Sequence, residues 1–156
     1  MPLNFPNSPI SGETATYSNG NYVIWDGFSW RSPTSSNVIE YGSFGITIDA
    51  GSSIIGTGSK GYVTMPYGGT IDSWDMVSNV TGNIQVDLKK STYSNFPNTT
   101  SVTSGNYIGM TNSQKETDTS IIGWTKTFSE NDVFEFVVIS AATMSRSNIV
   151  IKTIKS

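Results

Sequence analysis

The sequence predicts an all-β chain: an antiparallel β-sandwich of jelly-roll-like form, preceded by an extended N-terminal arm and a small β-hairpin module. Three observations carry this. Apolar and polar residues alternate over short runs, as in Phe44, Ile46 and Ile48 against Gly45, Thr47 and Asp49. Turn residues separate these runs at short intervals. No window of ten or more residues shows a 3.6-residue period, and no fixed repeat suggests a propeller or solenoid.

Taken in order, residues 1–35 read as a Pro-punctuated arm and a small hairpin unit. Asn19-Gly20 and Asp26-Gly27 are two-residue hairpin signals, the second between Tyr22–Trp25 and Phe28–Trp30. Strands this short are marginal alone, so Tyr17, Tyr22, Trp25 and Trp30 are expected to form a mini-core or to dock on a partner. Residues 36–43 read as linker, within a Ser/Thr/Asn-rich stretch that follows Pro33. The sandwich domain is placed at 44–156. After Phe44–Asp49 come a Gly/Ser loop, Ile54-Ile55, a turn over 56–61 and a strand at Tyr62–Met65. Gly68-Gly69 then leads into a strand over 70–78. Thr81-Gly82 reads as a turn into a second strand over 83–88, with Ile84, Val86 and Leu88 on one face and Gln85, Asp87 and Lys89 on the other. Residues 91–120 read as mostly polar loop, a length that marks function or partial helix. Strands are expected again at 121–124, 125–128, 133–140 and 147–154, with a turn at Glu130-Asn131-Asp132.

The composition narrows function by exclusion. The 156 residues carry a net charge of −3, only 13% are charged, and there is no Cys and no His. The commonest general base and metal ligand is therefore missing, and no disulfide framework exists. A Ser-His-Asp triad is impossible. The glutamates nominate no pair flanking a cleft, as a glycosidase requires. Asp49, Asp72, Asp75, Asp87 and Asp132 lack the dense spacing of a calcium loop and read as solvent-facing or turn-capping groups. No catalytic residue, cofactor or metal site is expected. Lys89-Lys90 is the only adjacent basic pair, so nucleic-acid binding is not expected. No charged and apolar leader follows Met1, and the longest apolar run, Phe136–Ile139, is far too short for a membrane span. The expectation is synthesis in the cytoplasm with neither signal peptide nor membrane insertion. Trp74 and Trp124 lie within strand patterns and are expected in the core. The mixture of Tyr93, Phe96, Tyr107 and Met110 with Ser, Thr and Asn makes the 90–120 stretch the candidate contact surface.

An ordered run of landmarks crosses residues 44–155: Asp49, Thr57-Gly58, Lys60-Gly61, Pro66-Tyr67, Trp74, Thr81-Gly82, Val86-Asp87, Lys90-Ser91, Tyr93, Phe96-Pro97, Gly123-Trp124-Thr125, Asp132, Phe136-Val137 and the Ile149–Ile154 strand. This order resembles a β-sandwich domain of bacteriophage tail fibres and related virion proteins. The chain departs from that pattern at Asn131-Asp132, where Gly-Asp is usual, and at Ser78–Gly82, where Asp-x-x-Gly is usual. Both are turn substitutions. The arm, with Pro6, Pro9, Gly12, Tyr17 and Trp25-Asp26-Gly27-x-x-Trp30, is similar to a short module of phage virion proteins. The resemblance implies a non-enzymatic virion protein of fibre type, made in the host cytoplasm. Phe5, Pro6, Pro9, Tyr17, Trp25 and Trp30 would attach it to other virion proteins. The sandwich would face outward, in reach of a host-surface polysaccharide, and a homo-oligomer, with a trimer favoured, is implied. Capsid decoration or a head fibre without receptor role, and a free carbohydrate-binding module, are the alternatives.

Overall fold

The computed structural model describes residues 5–17, 21–32 and 39–156. The Asn19-Gly20 pair of the expected turn and residues 36–38 of the expected linker lie outside the described residues. The chain divides into two compact units, Met1–Val38 and Ile39–Ser156. No α-helix occurs among the described residues.

In the first unit, β1 (Thr14–Thr16), β2 (Tyr22–Trp25) and β3 (Trp30–Arg31) form one antiparallel sheet in that order. Backbone bonds from Gly12 N–H to the Trp25 carbonyl and from Trp25 N–H to the Glu13 carbonyl tie the arm to β2. The turn after Trp25 differs from the expected strand over 28–30. The Asp26 carboxylate accepts the N–H groups of Phe28 and Ser29 at 2.9 and 2.8 Å, and Gly27 takes φ +100°. This Asx-type capping pulls Phe28 and Ser29 into the turn. Phe28 is left 90% exposed. Arg31 pairs with the same carboxylate.

The second unit is an antiparallel β-sandwich made by one curled eight-stranded sheet. Its strands are β4 (Tyr41–Asp49), β5 (Gly58–Thr64), β6 (Gly69–Ser91), β7 (Thr100–Ser101), β8 (Ile108–Asp118), β9 (Thr127–Phe128), β10 (Val133–Ala142) and β11 (Arg146–Lys155). The main path runs β4-β11-β6-β10-β5. Tyr41–Ser43, expected in the linker, are the first residues of β4, in register with Ile154–Lys152.

The central element is the 23-residue β6. Its first half pairs with β11 and its second half with β10. Along its other edge β8 pairs with both halves, Lys115–Asp118 against the first and Ile108–Met110 against the second. The expected Thr81-Gly82 turn is therefore absent: Gly82 lies inside a continuous strand that bends from one layer into the other. Register slips between Val77 and Gly82 mark the corner. Strands that switch layers do so at such irregularities. There Ser78 Oγ donates to the Val80 carbonyl at 2.9 Å, and Asn112 N–H, at φ +49°, donates to Asn83 Oδ1 at 2.7 Å. Residues 108–118, expected as loop, are an edge strand. The expected strand at 121–124 is a turn, with Ile121 at φ +36° and Gly123 at φ +79°.

The core fills the space between the layers. Phe44 of β4 stacks on Phe134 of β10 at 4.6 Å, with Phe128 and Phe136 edge-on around them. Trp74 and Trp124 are both buried, as expected, and the Trp124 indole N–H donates to the Asn106 carbonyl at 2.8 Å. Asp87 departs from its expected solvent position. It is buried beneath β7, where the hydroxyls of Ser101 and Thr103 donate to its Oδ1 at 2.8 and 2.6 Å. The two ends of the unit meet: Lys155 N–H donates to the Glu40 carbonyl and Ser156 N–H to that of Gly68.

Two surface ion pairs brace the layer formed by β4, β11 and the first half of β6. The Lys152 ammonium and then the Thr117 hydroxyl hold the Asp75 carboxyl below its ordinary value of 3.8. The Gly51 N–H and then the Arg146 guanidinium do the same for Asp49. A depressed folded-state pKa gives stability that is present above the unfolded value and lost as pH falls through the folded one. Asp75→Asn and Asp49→Asn are expected to lower urea midpoints slightly at pH 7. Their difference from the parent chain should vanish once the pH is well below 3.8. A difference that persists in acid would mean the carboxylates act by shape and not by charge.

Candidate functional site

The loop after β6 and the turn before β10 lie side by side because Ser91 and Val133 are register partners. Between them is an open hollow of about 450 Å³, lined by Thr92, Tyr93, Ser94, Ser129, Glu130, Asn131 and Asp132. Tyr93 belongs to a single 3-10 turn, Tyr93–Asn95. Its side chain is 70% exposed, and neither ring nor hydroxyl has a partner among the described residues.

The opposite wall is a tight turn. Asp132 N–H donates to the Ser129 carbonyl at 3.1 Å, and Ser129 N–H returns a bond to Asp132 Oδ2 at 2.9 Å. Asn131 sits at φ +67°, a conformation that Asn tolerates well. Backbone bonds to both sides of Met65 fix this turn to the end of β5. Glu130 is exposed, and its carboxylate has no partner among the described residues.

Beneath the wall, buried Asp132 pairs with Lys90 at 3.0 Å, and the same ammonium donates to the Thr127 carbonyl at 3.0 Å. The pair positions one carboxylate while cancelling its charge, so the hollow keeps a net negative charge from Glu130. Breaking a buried pair leaves an uncompensated charge. Lys90→Met is expected to cost about 3 kcal/mol in urea unfolding. Lys90→Met with Asp132→Asn should recover part of that loss. An additive double variant would mean that the two side chains act independently.

The expected contact residues separate. Tyr93 lines the hollow. Phe96 instead pins the loop, its ring set T-shaped at 5.1 Å against Tyr62 of β5. Thr99 adds a second tie, donating to Glu135 at 2.6 Å. Tyr107 is half-buried ahead of β8 and does not line the hollow. Met110 leaves the contact set altogether. It is 2% exposed, an inward-facing core residue of β8. Glu130, Asn131 and Asp132 were legible only as a turn; their place beside Tyr93 follows from the β6–β10 pairing.

In the first unit, Trp25 and Trp30 face each other at 5.6 Å, and Phe5 covers Trp30 at 5.1 Å. Both indoles are half-buried in this small cluster. Tyr17 and Phe5 remain exposed, Pro6 is exposed, and Pro9 is half-buried.

No family model, curated protein or solved structure matches this chain. Among the described residues no group of three or more His, Cys, Asp or Glu side chains gathers as a metal site. No helix among them is long and apolar enough to cross a membrane.

Proposed function

We propose that this chain is a structural display protein of a bacteriophage particle, of fibre type. The N-terminal unit attaches to other virion proteins through Phe5, Pro6, Pro9, Tyr17, Trp25 and Trp30. The sandwich is presented to the surroundings, and self-association, as a trimer, belongs to the same reading. The observation that carries it is the division of labour along the chain. A minimal three-stranded sheet with open aromatic side chains precedes a separate sandwich with its own core. Aromatic residues on a small, nearly coreless unit suit docking, since they bring large area at low entropic cost. The ordered landmarks over 44–155 supply the particle context.

Antibody against residues 44–156, viewed on intact particles by electron microscopy, tests the proposal. Label on the tail or its fibres is the expected result. Label over the head would replace it with capsid decoration. Particles without label would overturn it in favour of a free carbohydrate-binding module.

A further inference from the structure

Building on that display role, we infer that the Tyr93 hollow binds uncharged hexopyranose units of a surface polysaccharide. Three features of the hollow select this chemistry. The first is an aromatic ring left open: Tyr93 is unpaired among the described residues, although nearby Phe96 is engaged with Tyr62. A phenol ring carries a negative face and so attracts the C–H face of a pyranose.

The second is the set of polar groups around that ring. Glu130 offers a carboxylate with no partner among the described residues, and Asp132 takes Ser129 N–H and Lys90 both on Oδ2. Carboxylate oxygens accept from adjacent hydroxyls, and such charge-assisted bonds are the stronger kind. Thr92, Ser94, Ser129 and Asn131 line the same hollow and add small groups that both donate and accept.

The third is charge. Lys90, which pairs with the lining residue Asp132, is spent on that carboxylate and on the Thr127 carbonyl. Glu130 remains uncompensated, so uronate or other anionic sugar units are repelled. The hollow is also open and lies beside the end where Gly68 meets Ser156, since a methyl group at Gly68 would come within 3.6 Å of Glu130 N. The hollow is therefore reached from solvent at that end of the sandwich.

Affinity electrophoresis of the full chain through gels containing mannan, dextran, galactan or polygalacturonate tests the assignment. Retardation by at least one uncharged polymer and none by polygalacturonate is expected. Tyr93→Ala and Glu130→Ala should weaken the retardation constant at least fivefold, Tyr93→Trp should retain it, and Ile54→Ala, at the far end of the unit, should leave it unchanged. Circular dichroism would confirm that the exposed-site variants fold. No retardation by any uncharged polymer, stronger retardation by polygalacturonate, or full binding by Tyr93→Ala would overturn the assignment. Particle labelling is a separate readout. Labelled particles without retardation sink the sugar site alone, and Tyr93-dependent retardation without label sinks the virion reading alone.

Discussion

Phe134→Ala is expected to destabilise the sandwich by about 3–5 kcal/mol, the usual cost of emptying a buried phenylalanine site. Phe134 is 0% exposed and reaches rings of the layer facing its own: Phe44 of β4 at 4.6 Å and Phe128 of β9, which pairs with the start of β6, at 5.6 Å. Two terms add. Apolar area is lost from the core, and the remaining cavity closes only in part, because β10, which carries Phe134, is held on both sides by β5 and β6. The measurement is urea unfolding followed by tryptophan fluorescence, with Trp74 and Trp124 as core reporters. Phe134→Leu should cost clearly less. Equal costs for the two would mean that the site relaxes freely and that the aromatic cluster is not the centre of the core.

The second large effect is expected at Gly82. A Cβ there would sit 2.1 Å from Thr143 Oγ1 and 2.6 Å from the Ala142 carbonyl oxygen. The hydroxyl can rotate away, but the carbonyl belongs to the end of β10, paired with β6 at Asn83. Gly82→Val must therefore push β10 away from β6 at the corner. Overpacking of this kind costs about 3 kcal/mol. Gly51, at φ +65° with open space around it, makes the contrast: Gly51→Ala carries only the conformational penalty, about 1 kcal/mol. If Gly82→Val unfolds at the parental urea concentration, the bend in β6 does not have the close approach described above.

These two sites also show what could be read from the residues and what could not. Phe134 sits in a period-two pattern that marks β10 without ambiguity, and so do the inward residues of β4 and β11. Gly82 carries the opposite lesson. Thr-Gly between alternating runs is locally indistinguishable from a hairpin turn, yet here glycine answers a tertiary need, the passage of another backbone. The strand β8 was hidden for a different reason. Only Ile108 and Met110 are buried in it, and beyond the bend its residues face outward as Asn, Gln, Lys and Glu. An edge strand on a curled sheet has too little buried face to write an alternation. The same limit applied to the hollow. Tyr93 stood out as an aromatic among small polar residues, but Glu130 and Asp132 are about forty residues further on, and only the pairing of β6 with β10 brings them across.

The meeting of the unit's two ends has a mechanical consequence. Tyr41 and Ile154 are partners at one end of the β4–β11 ladder, and Asp49 and Arg146 at the other. A pull applied between Glu40 and Ser156 peels this ladder one bond at a time, as a zipper opens. A pull between Glu40 and Ser145, just ahead of β11 at the other end, loads its bonds together, in shear. Single-molecule stretching should therefore give a low rupture force along the first direction and a several-fold higher one along the second. A load that enters through Glu40 and leaves through the far loops is the one this sandwich is built to bear.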